Sequence, residues 1–420
     1  MPSAIKTFGA FVKRYGLFHA IRIAGAYAVK RFTRAGTRFF LFRKSRFFSR
    51  KYPAVLFVSF SLTDLCVQYR VRHIVEYLSM GGISSAVIGE WETKQYKKIV
   101  PHVRCIVLFR TQTNRSMESF LAVARRRGIP LVYSSDDLVF LPEYASYFPL
   151  PTTGSHRDYQ YAAEAARKRF AVFRQCDYFL ASTPSLAKAV DAYGKTPLLI
   201  HNGIGTEQMR RSRKAVEKRR IPRDSSAGTR VIIGYASGTM THERDVAVAI
   251  PALVSLLAAY PFLELRIIGH LARDASLRPY ESRVRYIPFV PWRRIQDVLC
   301  ECDILIAPFC LDSPFTNAKS EVKFIEAALV RVPTVASPIA SYRDAIHDGV
   351  NGFLASNDYE WTEKLRTLIE SKEERVRIGA AAYDAVMKEY APSALLGETY
   401  AALTTIIPSL FKDAKEIHNN

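Results

Sequence analysis

From residue 52 onward, short apolar runs alternate with segments in which apolar residues recur every three or four positions. The runs are rich in Val, Ile and Leu, which is typical of parallel strands that are buried on both faces. The segments between them have the periodicity of helices that cover such a sheet. In the first half of the chain the predicted strands are residues 54–60, 84–89, 103–109, 130–134, 178–182 and 197–200.

The alternation starts again after a charged stretch at residues 206–230 that is low in aromatic residues. The second set of predicted strands is 231–235, 265–269, 284–288, 304–308, 334–337 and 352–354. Two such rounds predict an α/β fold with two Rossmann-like domains that face a cleft. In sheets of this kind ligands bind at the carboxyl ends of the strands, so candidate site residues are sought there.

These patterns divide the chain into a tail (1–51), a first domain (52–205), a basic linker (206–230) and a second domain (231–391). A final helical segment at 392–412 carries one apolar stripe. Since such a helix needs a surface to cover, we expect it to pack back on the first domain.

The charge of the chain is concentrated in the tail. The chain has 60 Lys and Arg against 39 Asp and Glu, a net charge of +21. Thirteen of the basic residues and none of the acidic ones lie in Met1–Lys51. The tail is also aromatic and contains helical spacing, so a basic helix with an aromatic face is predicted, in short pieces because of four glycines. We favour contact with an anionic membrane surface.

Two other interpretations of the tail stay open, a solvated or self-packed segment and a nucleic-acid-binding arm. The second is disfavoured because no nucleic-acid-binding fold accompanies the charge. Arg22, Lys30 and Arg31 interrupt the apolar stretches, which argues against a secretory signal. No window reaches the ~18 apolar residues of a membrane span. Six cysteines without a metal-binding spacing predict free thiols in a reducing cytosol.

The second domain opens with a strand that runs into a Gly, Ser and Thr turn. Gly238 and Thr239 end this turn, and His242 follows three positions later. Backbone N–H groups at such a turn, together with a helix N-terminus, suit a phosphate. Many strand–helix turns have this composition without binding anything, and a histidine that caps a helix or lies at the surface is equally common.

A stronger pattern lies after the strand predicted at 304–308. Lys319, Lys323 and Glu326 are separated by four and three positions, which places them on one face of a helix. Two ammonium groups at a helix start suit a diphosphate, and a carboxylate one turn later suits the vicinal hydroxyls of a ribose. An exposed ion pair between Glu321 and Lys323 explains the spacing equally well.

Five residues of the first domain lie where predicted strands end or the next helix begins. Tyr69 and Arg70 begin the helix after the first strand, and Arg110, Asp136 and Asp137 follow later strands. Their positions predict that they face the cleft. Capping of a turn or helix is an equally good interpretation of the two aspartates.

Several segments, in this order along the chain, resemble a glycosyltransferase of the GT-B fold and of the retaining family 4 type. The similarity covers roughly residues 52–402 and is most specific around Lys323–Ala328. The segments are residues 200–204, 234–238, 266–269, 302–308, 323–328, 332–337 and 348–354.

The resemblance implies a nucleotide-diphosphate sugar held by the second domain and an acceptor held by the first. Glu326 matches the glutamate expected to bind the ribose, and Lys319 and Ser320 are expected to face the diphosphate or the sugar. The family pattern has a further glutamate where this chain has Ala318. It also has a basic pair in the first donor-domain turn, where this chain offers only His242 and Arg244.

The predicted function is therefore transfer of a sugar to a glycan or lipid-linked acceptor in cell-surface polysaccharide synthesis, with retention. Arg110, Asp137 and Lys323 are the predicted catalytic residues, and Tyr69, Arg70 and Asp136 the acceptor-binding ones. By resemblance, Lys, Arg and helix N-termini stabilise the leaving diphosphate without a metal or cofactor. The predicted location is cytoplasmic, on the inner face of the membrane. A catalytically inactive scaffold or binding subunit of a polysaccharide assembly system is the alternative, and the missing glutamate favours it.

Overall fold

Two six-stranded parallel sheets form the framework of the molecule. The computed structural model describes residues 52–148, 156–219, 230–238, 242–269, 271 and 273–408. Every strand pair in both sheets is parallel. This confirms the predicted α/β fold of two Rossmann-like domains, whereas the predicted tail lies outside the described residues.

The first sheet has the strand order β2-β1-β3-β4-β5-β6. All residues of the central strands β1, β3 and β4 are buried, because helices cover both faces of the sheet. The strands are β1 Val55–Ser59, β2 Ser85–Gly89, β3 Cys105–Phe109, β4 Leu131–Ser134, β5 Tyr178–Ala181 and β6 Thr196–Leu199. The helices between them are Leu65–Val67, Gln68–Arg72 (π-helical), His73–Met80, Thr93–Tyr96, Arg115–Arg126, His156–Phe173 and Pro184–Lys188.

The second sheet has the strand order β12-β11-β10-β7-β8-β9. Its strands are β7 Val231–Ser237, β8 Leu263–Gly269, β9 Val284–Ile287, β10 Ile304–Ala307, β11 Thr334–Ala336 and β12 Phe353–Leu354. The helices of this domain are Glu243–Ala247, Ile250–Ala259, Trp292–Leu299, Pro314–Asn317, Val322–Ala328, Ala340–Ala345, Asp358–Glu370 and Lys372–Glu389. The fully buried Trp361 is the largest side chain in the cluster between this sheet and its outer helices.

The strand order places a crevice in each sheet. In the first sheet β1 pairs with both β2 and β3, and in the second β7 pairs with both β8 and β10. At each of these central strands the chain changes direction across the sheet, so the loops at the carboxyl ends of its neighbours diverge. The loops after β1, β3, β7 and β10 therefore form the walls on which a ligand site is expected.

The last described helix, Pro392–Ile406, returns to the first domain. Its Tyr400 hydroxyl donates a hydrogen bond to the Gly81 carbonyl at 2.7 Å. Its buried face joins the apolar cluster beneath β1, and Leu395 is fully buried there. Leaving β6, the chain passes through His201, which forms an ion pair with Glu398 at 2.8 Å. This helix thus holds the segment after β6, where the chain passes from the first domain to the second, against the first domain.

The segment predicted to begin a basic linker is a regular helix, Thr206–Arg219, which corrects that boundary. Gln208, Ser212 and Ala215 form its buried face, and it packs against helix Trp292–Leu299. Residues 220–229 lie outside the described part of the chain. All six cysteines are free thiols. Among the described helices, none combines the length and apolarity that crossing a bilayer requires.

Candidate active site

A cleft of about 280 Å³ lies between the two sheets. The first domain contributes Tyr69, Asp136 and Asp137 to its wall, and the second contributes the end of β7 with Gly238, and helix Val322–Ala328. The cleft therefore brings together most of the predicted site residues, which lie far apart in the sequence. Those lining it are Tyr69, Asp136, Asp137, Gly238, His242, Lys319, Ser320, Lys323 and Glu326.

Lys323 is a buried ammonium group without a hydrogen-bond partner. Its Nζ lies 4.9 Å from the ring centroids of both Tyr235 and Phe309, at the ends of β7 and β10. Burial lowers the pKa of Lys323 to about 8, although Asp245 acts in the opposite direction. The aromatic faces compensate only part of the lost hydration of the cation. The site thus presents a positive charge that an anion would satisfy.

Lys319 belongs to a small polar network beside it. Its Nζ lies 3.7 Å from Asp245 Oδ2, and the same oxygen lies 2.8 Å from His242 Nδ1. Burial and the nearby Lys319 charge lower the pKa of His242 to about 4, so the imidazole is neutral at physiological pH. The lysine and histidine hold the pKa of Asp245 at about 2 despite its burial. This network fixes the ammonium of Lys319 at the cleft wall.

The exposed Glu321–Lys323 ion pair considered as an alternative is not formed. Glu321 is 1% exposed and precedes helix Val322–Ala328, facing away from Lys323 towards Tyr390. Burial raises the pKa of Glu321 to about 7. Lys323 and Glu326, one turn apart, are both at the cleft instead. The spacing therefore reflects a shared inward face of the helix.

Glu326 is bound by a side chain of the first domain. The Tyr69 hydroxyl donates a short hydrogen bond to Glu326 Oε1. Burial raises the pKa of this carboxyl to about 7, while the bond from Tyr69 and the charge of Lys323 oppose that rise. The pKa of Tyr69 is raised as well, by burial and by the carboxylate, so its hydroxyl remains a donor. Glu326 can thus accept hydrogen bonds in this environment, as a ribose site requires.

The turn after β7 approaches the first domain closely. A Cβ built on Gly238 would lie 3.2 Å from Leu65 Cδ1, a tight contact that a small shift of the leucine side chain would relieve. Gly269 at the end of the neighbouring strand has φ +100°, and a Cβ there would lie 1.9 Å from the Ser237 carbonyl oxygen. Only glycine fits that position. Thr239, predicted to contact the donor, lies outside the described residues.

The loop before helix Val322–Ala328 is anchored on the first domain. Asn202 Nδ2 donates to Ser320 Oγ at 2.7 Å, and Thr183 Oγ1 donates to the Ala318 carbonyl at 3.1 Å. The Ala318 side chain is 2% exposed and belongs to the apolar cluster of the first domain, with Phe315. The methyl group that replaces the family's glutamate therefore packs in a hydrophobic interior.

On the opposite wall two aspartates are bound by one arginine, Arg110, which does not itself line the cleft. Arg110 Nη2 lies 2.6 Å from Asp136 and 2.5 Å from Asp137. Burial would lower the pKa of Arg110, but the two carboxylates raise it above its usual value. Burial raises the pKa of Asp136, against the effect of Arg110. Arg110 also has φ +50°, which a non-glycine residue adopts only at a cost. The triad is thus held in one fixed geometry.

Arg70 does not reach the cleft, which corrects its prediction as an acceptor-binding residue. It is fully buried, and its guanidinium donates to the carbonyls of Leu180, Ala181 and Ile200 at 2.5 to 3.3 Å. These carbonyls end β5 or follow β6, so Arg70 adds hydrogen bonds to backbone groups at the strand ends. Its role in this structure is to fix the strand ends.

Three residues at the site were not among the predicted ones. Asp245 organises Lys319 and His242, Asn202 binds Ser320, and Trp292 lines the cleft near Tyr69. Asp245 could have been found from its position one turn after His242, and Asn202 from the strand-end triplet at 201–203. Nothing in the sequence around Trp292 distinguishes it from a surface residue. In the described part of the chain, no three His, Cys, Asp or Glu side chains cluster as metal ligands would.

Comparisons with known proteins agree with this architecture. Residues 230–371 match the family model of glycosyl transferases group 1. No curated protein sequence matches the chain. Among solved structures, HepE of Anabaena in complex with UDP and glucose is similar with a TM-score of 0.58 and 15% identity, over 84% of this chain and 100% of that one.

Two further structures share the arrangement. A glycosyltransferase from Rickettsia africae has a TM-score of 0.55 and 13% identity, covering 86% of this chain and 100% of that chain. Sucrose-phosphate synthase from Thermosynechococcus elongatus has a TM-score of 0.55 and 12% identity, covering 84% and 99%. At these identities the similarity establishes the shared fold, including both sheets and their arrangement across a cleft.

Proposed function

Because this chain has the GT-B fold and its residues 230–371 match the family model of glycosyl transferases group 1, we propose that it transfers a sugar from a nucleoside diphosphate sugar to a glycan or lipid-linked acceptor. The donor binds to the second domain and the acceptor to the first. The anomeric configuration is retained, and the residues of the cleft act without a metal. The product belongs to cell-surface polysaccharide synthesis.

One observation carries this proposal, the buried ammonium of Lys323 one turn before Glu326 at the cleft. Keeping a cation out of water without an anionic partner costs stability, and a bound diphosphate would recover that cost. Glu326 offers a carboxylate at the distance of one helical turn, which suits the hydroxyls of a ribose. HepE, which shares the fold, was solved with UDP and glucose, and this supports the choice of donor class.

The chemistry follows from the charges on the two walls. Transfer breaks the bond between the anomeric carbon and the diphosphate oxygen, and it forms a bond from the acceptor oxygen to that carbon. Lys323 and Lys319 stabilise the negative charge that develops on the leaving diphosphate. With retention, the acceptor hydroxyl enters on the face of the leaving group, where its proton can pass to the departing oxygen. Asp136 and Asp137 bind acceptor hydroxyls, and Arg110 holds both carboxylates in place.

Nucleotide binding is the first test of this proposal. Thermal-shift and calorimetric titrations with UDP-, GDP- and dTDP-sugars should identify one donor that stabilises the protein, and transfer of its labelled sugar should follow with membrane or glycan extracts. Glu326→Ala and Lys323→Ala should abolish or strongly reduce transfer while the unfolding midpoint stays close to that of the parent. Full activity in both variants would overturn the site assignment.

The alternative function, a catalytically inactive scaffold or binding subunit, is favoured by one observation. Ala318, in place of the family's glutamate, packs in the apolar cluster of the first domain, so no carboxylate reaches the sugar from this position. A scaffold would bind no nucleoside diphosphate sugar at all. Binding without transfer to any acceptor would indicate a protein that kept its donor site but lost its catalytic function.

The proposed location is the inner membrane surface, reached through residues 1–51, which lie outside the described residues. Their thirteen basic and no acidic residues support contact with anionic lipid. Flotation with vesicles of phosphatidylglycerol and phosphatidylcholine should recover the full chain with the lipid, and less so at high salt. Equal flotation of a chain that begins at residue 52 would remove this role of the tail.

A further inference from the structure

Glu326 is the residue expected to hold the ribose of the donor, and in this structure its carboxylate is bound by the first domain. Tyr69 lies on the π-helical segment Gln68–Arg72 and is 6% exposed. Its hydroxyl donates to Glu326 Oε1 and accepts a hydrogen bond from Gln208 Nε2 at 3.4 Å. Tyr69 thus crosses the cleft to reach a carboxylate of the opposite domain.

The neighbourhood of Tyr69 leaves little room beside this contact. Its ring packs edge-on against His73 with 5.3 Å between the ring centroids, and His73 lies 6.0 Å from Trp292 of the second domain. The whole cleft encloses about 280 Å³, at the lower limit of the roughly 300 to 1,000 Å³ of small-molecule sites. Because the Tyr69 hydroxyl already occupies Glu326 Oε1, a ribose that engages both oxygens of this carboxylate has to displace it.

We propose that Tyr69 is a specificity-determining residue of the donor site. Its hydroxyl occupies the position on Glu326 that a ribose hydroxyl would take, and it has to be displaced when the nucleotide binds. This inference rests on the proposed function, because it assumes a nucleoside diphosphate donor. Two vicinal ribose hydroxyls can engage both carboxylate oxygens, whereas a 2′-deoxyribose has one hydroxyl to offer there. Competition with Tyr69 therefore reduces the advantage of ribose over deoxyribose.

The π-helical segment explains how the sequence reaches this geometry. A π-turn adds one residue to a helical turn and changes the direction of the side chains that follow, and such turns occur frequently at functional sites. Here Tyr69 points to the cleft while its neighbour Arg70 points to the strand ends of the first domain. The Tyr69 hydroxyl also keeps the buried carboxyl of Glu326 supplied with a donor, which favours its ionised form.

Tyr69→Phe removes the competing hydroxyl and keeps the ring. The probes are the nucleoside diphosphate that binds best among UDP, GDP and ADP, and its 2′-deoxy form, titrated calorimetrically at pH 8. Since a hydrogen bond to a charged group is worth roughly ten- to hundredfold in an equilibrium constant, we expect the ribonucleotide to bind about tenfold more tightly to Tyr69→Phe. The 2′-deoxy form should gain less, so the ratio of the two dissociation constants should rise.

Tyr77→Phe is the matched control. Tyr77 lies two turns later in the same helical region, is fully buried, and donates its hydroxyl to the Ile204 carbonyl at 2.8 Å, away from Glu326. The Tyr77→Phe variant should leave the dissociation constants of the ribonucleotide and of its 2′-deoxy form unchanged. A second comparison combines Tyr69→Phe with Glu326→Gln, and there the gain for the ribonucleotide should disappear.

The outcomes separate this inference from the proposed function. Unchanged or weaker ribonucleotide binding by Tyr69→Phe, or an equal gain for both nucleotides, would overturn the role of Tyr69 while donor binding stands. If none of the three nucleoside diphosphates binds to the parent or to any variant, the proposed function fails and this inference fails with it.

Discussion

In the first domain Arg110, beside the cleft wall, forms ion pairs with two carboxylates, whereas in the second domain Lys323, which lines the cleft, has no ion-pair partner. Arg110 lies within 2.6 Å of two carboxylates, Asp136 and Asp137. Lys323 has only aromatic faces around its ammonium, and Lys319 shares one carboxylate at 3.7 Å. Both walls are buried to a similar degree, so the difference lies in the partners that the chain supplies.

The contrast assigns a different kind of ligand to each wall. A wall whose charges are mutually satisfied can offer carboxylate oxygens to neutral hydroxyls without attracting an ion. An unpaired buried cation lowers the stability of the folded protein until an anion binds to it. Selection for binding rather than for stability explains why such a cation is kept. This contrast supports the proposal that the acceptor binds to the first domain and the diphosphate to the second.

The largest effect is expected from removing the paired cation. Arg110→Met leaves two adjacent buried carboxylates without a counter-charge, and breaking a buried pair in this way costs about 3 kcal/mol of unfolding free energy. The cost of φ +50° at this position is similar for Met and Arg, because both carry a Cβ, so it does not account for the expected loss. Urea unfolding at pH 7.5 measures the loss.

The control for Arg110→Met also removes the two carboxylate charges that this substitution leaves without a counter-charge. Asp136→Asn and Asp137→Asn, added to Arg110→Met, should restore most of the lost stability, because no uncompensated charge is left. If Arg110→Met unfolds at the same urea concentration as the parent, the carboxylates do not depend on the arginine and the contrast between the walls fails.

The unpaired cation should behave in the opposite way. Lys323→Met replaces a buried ammonium by an apolar chain of similar length, so we expect about 1 kcal/mol of added stability. The same variant should bind a nucleoside diphosphate sugar roughly 10- to 100-fold more weakly, since a charge-assisted contact is lost. Urea unfolding and calorimetric titration of one preparation measure both quantities.

Lys364→Met is the matched control for this variant. Lys364 belongs to the second domain but lies away from the cleft and forms an ion pair with Asp348 at 3.0 Å. Its replacement should change the free energy of unfolding by no more than about 0.5 kcal/mol. Donor binding should stay unchanged. A Lys323→Met protein that is less stable than the parent would mean that the ammonium has partners that hold it in place.

The fold followed from the sequence more closely than the site did. Parallel strands are continuous apolar runs, so predictions such as 84–89 and 284–288 lie within one residue of Ser85–Gly89 and Val284–Ile287. Helix Thr206–Arg219 was missed because Gln208, Ser212 and Ala215 on its buried face are polar or small. Without an apolar stripe, periodicity cannot reveal such a helix.

The site residues were located, but their partners were not. Tyr69 and Arg70 lie on the π-helical segment, where adjacent side chains point in different directions, and of the two only Tyr69 lines the cleft. The pairing of Tyr69 with Glu326 joins positions 257 apart in the sequence, and no local pattern encodes it. Whether a lysine such as Lys323 is paired depends in the same way on tertiary structure.

The smallest effect in this comparison is a pH dependence confined to the second domain. Burial raises the pKa of Glu326 to about 7, so its carboxylate form, the one proposed to accept the ribose hydroxyls, is gained as the pH rises through 7. Burial lowers the pKa of Lys323 to about 8, so its positive charge is lost above that value. Donor affinity should therefore be highest between about pH 7 and 8 and fall severalfold by pH 6 and by pH 9. A nucleoside diphosphate sugar is the suitable probe, because it lacks the terminal phosphate ionisation near pH 6. Glu326→Gln should weaken binding and flatten the acid limb alone, and a parent profile that is level from pH 6 to 9 would show that these two groups do not control the donor site.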